Sequence, residues 1–138
     1  MAGSFSDFLE AKLLDEVFGK TDYVAPANTY IGLFQVAPTD AQSSGTEMSA
    51  GNYARATLVN NTFNWLNSTG TSPTTKTNGS VITFATASVD WGTAVAFGIF
   101  DATSGTNMLA WADLTQNKVI SSGDTASFAA SALTITLT

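Results

Sequence analysis

The stretch FGIFDATSGTNMLAW, Phe97 to Trp111, sets two apolar runs around a core of Asp, Ala, Thr, Ser, Gly and Thr. Alternation along a strand puts Phe97, Ile99 and Asp101 on one side and Gly98 and Phe100 on the other. Beyond the turn, Met108, Ala110 and Ala112 alternate with Leu109, Trp111 and Asp113. Asp101 and Ser104 could be working residues of a site, but turn chemistry accounts for them. An Asp carboxylate can accept from nearby backbone N–H groups, and Gly105 can take positive φ at no steric cost. The stretch therefore reads as a tight antiparallel hairpin.

Working outward, the same pattern recurs. VITFATA from Val81, AVAFGIFD from Ala94, NMLAWADL from Asn107 and ASFAASALTITL from Ala126 are strand candidates. Asp90 and Gly92, Ser104-Gly105 and Gly123-Asp124 separate them as turn signals. Upstream, TYIGLFQV (Thr29 to Val36) is rich in aromatic and β-branched residues. In YARATLV, Tyr53, Arg55, Thr57 and Val59 face one way and Ala54, Ala56 and Leu58 the other. FNWLN carries Phe63 and Trp65; the polar stretch Ala37–Asn52 reads as a loop and Asn67–Ser80 as a loop or a flexible hairpin tip. Short strands at this spacing predict a mainly β chain, an antiparallel sandwich or barrel, with its sheet body over about 29–138. No repeat and no second composition regime appears, so one domain is expected over 1–138.

The N-terminus predicts a short α-helix over about 6–18, with acids early and Gly19 placed to end it. At 100° per residue, Phe5, Phe8, Leu9, Leu13 and Val17 share a broad face, while Leu14 and Phe18 project from another side. A one-sided surface helix does not look like this. Either the helix is sunk in its own fold, or one face packs on the domain and the other on a neighbouring chain. The second reading makes Leu14 and Phe18 candidate interface residues. Trp91 joins them, because it lies between Asp90 and Gly92, near a turn, where partial exposure is expected.

Composition excludes much chemistry. Of 138 residues only 12% are charged, about half the usual share. Sparse charge suits permanent contacts with other chains, since fewer ions must be desolvated. The net charge is −6, and the five basic residues, Lys12, Lys20, Arg55, Lys76 and Lys118, are scattered. Neither nucleic acid nor an anionic membrane is an expected partner. There is no Cys and no His, which removes disulfides, thiol catalysis and the commonest general base and metal ligand. No signal peptide or membrane-length apolar run is apparent.

The remaining constellations are weak. Asp101, Ser104 and Asn107 match a calcium loop poorly, because too few acids are present. Asp40 and Glu47 could pair as acid and base, but polar neighbours such as Thr39, Gln42, Ser43, Ser44 and Thr46 would keep both solvated. No Ser has a His to activate it. Asn60, Asn67 and Asn78 begin glycosylation sequons that carry no meaning without secretion. Trp65, Trp91 and Trp111 could stack on sugars, but packing is the commoner use in β-proteins. No catalytic residue, metal or cofactor is expected.

Four segments carry a resemblance: FLEAKLLDEVFGKTDYVAPANTYIGLFQVAPTD, SAGNYARATL, ITFATASVDWGTAVAFGIFDATSGTNMLAWADL and ISSGDTASFAASALTITL. Together they resemble a family of small tailed-bacteriophage virion proteins often labelled tail fibre proteins, and they also have the character of capsid decoration (cement) proteins. The resemblance implies a virion β-domain behind a short helix, assembled in the host cytoplasm, with no catalytic residues. Long fibres usually show repeats or heptads, and this chain shows neither. A small domain with a two-faced helix and few charges suits a clamp between larger subunits. Capsid decoration is therefore the leading expectation, with partners being other copies of the chain, as a trimer, and the major capsid protein. A tail- or fibre-associated protein is the alternative, and a carbohydrate-binding module the third.

Overall fold

The computed structural model describes residues 3–42, 44–105 and 107–137. Ser43 and Thr106, which fall in loops read from the sequence, lie outside the described residues. The elements in order are β1 (Gly3–Phe5), α1 (Asp7–Gly19), β2 (Asn28–Val36), β3 (Thr46–Glu47), β4 (Ala56–Val59), β5 (Thr74–Thr77), β6 (Ile82–Thr83), β7 (Gly92–Phe100), β8 (Met108–Ile120), β9 (Ser127–Phe128) and β10 (Thr134–Leu137). The chain is mainly β, with antiparallel sheets and one short N-terminal helix among the described residues, as expected. No closed barrel forms among the described residues.

The main sheet runs β1-β8-β7-β2-β3, and β4 also pairs with β2. β5 pairs with β10 and β6 with β9 as two small sheets. The hairpin predicted at Phe97–Trp111 joins β7 to β8. Phe97 sits opposite Ala112, Gly98 opposite Trp111 and Ile99 opposite Ala110. At the tip the Asp101 N–H donates to Asn107 O at 3.3 Å, and the Asn107 amide to the Asp101 carboxylate at 3.1 Å. Gly105 has φ +95°. Asp101 thus bonds a side chain across the turn.

The two faces of this sheet are both apolar. Ile31, Leu33, Phe97, Ile99, Ala110 and Ala112 belong to the larger core, with Trp65, Phe84, Trp91, Ile120 and Leu133. Phe34, Ala96, Phe100 and Met108 form a smaller cluster on the other face, flanked by Tyr30, Ala37, Val95 and Trp111. The Phe34 and Phe100 rings stack there at 6.1 Å. Gly32 and Gly98 lie opposite each other in register. A Cβ at Gly98 would stand 3.0 Å from Phe34 and from Phe100 ring carbons, so the pair of glycines makes room for the rings.

Three expectations need correction. Met108 does not share a face with Ala110. Phe100 pairs with Met108 while Ile99 pairs with Ala110, so a bulge at Leu109 turns Met108 over. VITFATA and ASFAASALTITL are mostly irregular, with only the short strands β6, β9 and β10 in them. Conversely Thr46–Glu47, read as loop, is β3; in the stretch read as a loop or hairpin tip, Thr69 bridges Thr75 and Thr74–Thr77 is ordered as β5. Buried Asn78 explains that order: its carboxamide accepts from Leu133 N at 2.8 Å and donates to Ala129 O at 2.8 Å. A side chain that satisfies backbone groups of the 129–133 turn fixes β5 against β10.

Candidate interaction surface

Ser6 starts α1 and also fastens it. Its side-chain oxygen accepts from Leu9 N at 3.2 Å and donates to the Met108 carbonyl, and its own N–H donates to Leu109 O at 3.0 Å. The cap residue, fully buried, is thus stitched to the start of β8. A second fastening comes from Asp40. Its carboxylate accepts from Ser4 Oγ at 2.5 Å and Trp111 Nε1 at 2.7 Å, while its carbonyl accepts from Asp7 N at 3.1 Å. These hydrogen bonds, the Ser4 one first, hold the Asp40 carboxyl below its ordinary pKa. Phe5, Phe8 and Leu9 pack half-buried against the main core.

Beyond this root the helix stands away from the body. No residue of α1 is buried, and every residue from Ala11 to Lys20 is exposed. Leu13 is 36% exposed, Leu14 59%, Val17 67% and Phe18 83%. Leu13 and Val17 therefore do not join Phe5, Phe8 and Leu9 in the domain core, as the helical wheel alone suggested. The division runs along the helix rather than around it. The first turn docks, and in the later turns Leu13, Leu14, Val17 and Phe18 form one apolar stripe about 140° wide. Gly19 is the last helical residue, and the left-handed cap falls on Lys20, at φ 57°.

The three sequence-predicted interface residues are not brought together. Leu14 and Phe18 share the stripe. Trp91 is 1% exposed and belongs to the main core, so the expectation of an exposed indole is corrected. Gly92, at φ +99°, turns the chain so that the ring points inward, and Gln35 Nε2 holds Trp91 O at 2.7 Å. Its ring meets Tyr53 edge-on at 5.2 Å. Trp65 is also buried, with Nε1 donating to Thr29 Oγ1 at 3.0 Å. Two of the three tryptophans are thus buried and present no ring face to a sugar.

Asp40 and Glu47 form no pair either. Glu47 instead takes both ends of Arg55, at 2.8 and 2.7 Å, and accepts from Tyr53 OH at 3.0 Å. The Arg55 guanidinium lies 3.4 Å over the Phe100 ring centre and donates to Ala102 O and Gly105 O, each at 2.9 Å. Tyr53, largely buried, has its pKa raised by desolvation first. This network ties β3, β4 and the β7–β8 turn together, and sequence reading missed it. Glu47, Arg55, Phe100 and Gly105 line a small cavity of about 170 Å³ with Phe34, Pro38 and Gln42. Every Arg55 nitrogen already has a protein acceptor, so the cavity offers a ligand no unspent charge. Among the described residues no group of three or more His, Cys, Asp or Glu could hold a metal ion.

No curated protein matches the chain. The family model described as Podophage GP4 fiber I protein gp80 matches residues 4–136, nearly the whole chain, so the chain belongs to that family of phage fibre proteins and is a virion component.

Proposed function

We propose that the chain is a non-catalytic structural element of a phage fibre, joined to neighbouring virion chains through α1. The family match supports the fibre part of this reading and favours it over capsid decoration. The lack of repeats and heptads had pointed to the capsid, but sparse charge and an exposed helix suit a fibre as well. The observation that carries the joining part is the stripe of Leu13, Leu14, Val17 and Phe18, uncovered by anything in its own fold. An apolar patch of this kind, rimmed by polar residues, marks a protein contact.

The test is a pair of particle reconstructions, from wild-type phage and from phage with a stop codon in this gene. The fibre reading requires density to vanish from an appendage while the capsid surface stays unchanged. Density lost from the capsid lattice would return the protein to the decoration class.

A further inference from the structure

The charges around the stripe indicate what covers it. At 100° per residue the stripe is centred between Leu14 and Val17. Asp7 and Glu10 lie at its N-terminal end, Asp15 along one flank and Glu16 along the other. Lys12 falls on the opposite side of the helix, where its Nζ sits 5.8 Å from the Phe8 ring centre. Residues 7–22 hold five of the 11 acids of the chain, against two of its five bases. Lys20 stands just beyond the stripe's C-terminal end, and Glu16 accepts from Tyr23 N–H. The stripe is therefore an apolar face with acids along both flanks and at its N-terminal end.

Resting on the fibre reading above, we propose that this face seats in a groove with an apolar floor and a basic rim on a different virion protein. Two physical points disfavour a second copy of the chain as the occupant. Copies set stripe to stripe would bring acidic flanks together, in a chain already at net −6. The stripe also spans fewer than two heptads and is broader than an a/d seam, which suits a helix laid in a groove rather than a self-paired coiled coil. A basic rim answers the acids, and a preformed floor answers the width.

The experiment uses the full chain and purified particles from the stop-codon phage as the probe. Sedimentation velocity reads self-association, and co-sedimentation with the particles reads docking. The wild-type chain should sediment as a monomer and bind the particles, more weakly as salt is raised. L14S/F18S should keep its circular dichroism spectrum, since both side chains are exposed, and lose roughly 100-fold or more in binding. D15K should lose about tenfold. Self-association that L14S/F18S abolishes would overturn the proposal in favour of a second copy. Binding that D15K and salt leave unchanged would remove the basic rim. Wild-type protein that does not rejoin the particles, or L14S/F18S that rejoins them as well as wild type, would overturn the docking surface itself. Failure of the fibre reading is separate, and shows as absence of the chain from purified wild-type virions by mass spectrometry.

Discussion

The indole N–H of Trp111 donates to the Asp40 carboxylate at 2.7 Å, across 71 residues of chain. The same carboxylate holds Ser4, one residue before the strand end that leads into α1. One loop side chain thus sets where the helix leaves the body. D40N keeps the shape but weakens the charged acceptor for both donors. Amide exchange at Asp7–Glu10 should rise severalfold in D40N, with the β7 and β8 amides unchanged.

The same carboxylate makes a pH prediction. Its pKa is lowered in the folded protein, so its contribution is present above the unfolded value and is lost as pH falls through the folded one. The melting-temperature gap between wild type and D40N should be constant at neutral pH and close below about pH 4. A gap that does not narrow at all as pH falls below the ordinary carboxylate range would mean that the hydrogen bonds to Asp40 do not depend on its charge.

Arg55 is a structural clip. Its side chain is 6% exposed and that of Glu47 25%. R55M leaves Glu47 without its partner and two carbonyls without a donor, and should cost about 2–4 kcal/mol in urea unfolding. E47Q/R55M should recover part of that loss, because the stranded charge is gone.

Trp91 separates packing from hydrogen bonding. Its Nε1 is buried without a partner among the described residues. W91F removes no hydrogen bond and should cost about 1 kcal/mol, whereas W91A should cost roughly 3–5 kcal/mol for the cavity. Equal losses in the two variants would show that the indole N–H has a partner after all.

How much could be read from residues alone follows from what periodicity encodes. Ala56 and Leu58 inward, Thr57 and Val59 outward, was legible because strand alternation states the face directly. The helix span was legible to within about a residue from the early acids and Gly19, although neither the cap at Ser6 nor the left-handed residue at Lys20 was. Where the body stops beneath the helix was not, since the wheel gives an angle and no axial position, and Val17 was placed on the core face for that reason. Met108 was misread because the bulge at Leu109 has no residue signature. Trp91 was misread because nearness to a turn does not say which way the turn sends the ring. The Glu47–Arg55 pair had only one sign in the sequence, opposite charges eight residues apart across a loop.

The central claim is that the later turns of α1 are bare in the isolated chain and covered in the virion. Hydrogen exchange of Ala11–Gly19, compared between purified protein and protein assembled in particles, tests it most directly. A half-docked helix of this length is marginal by itself, so these amides should exchange fast in the free chain and slow by at least tenfold after assembly. Equal exchange in the two states would contradict the account, because the Leu14 and Phe18 face would then be bare in the particle as well.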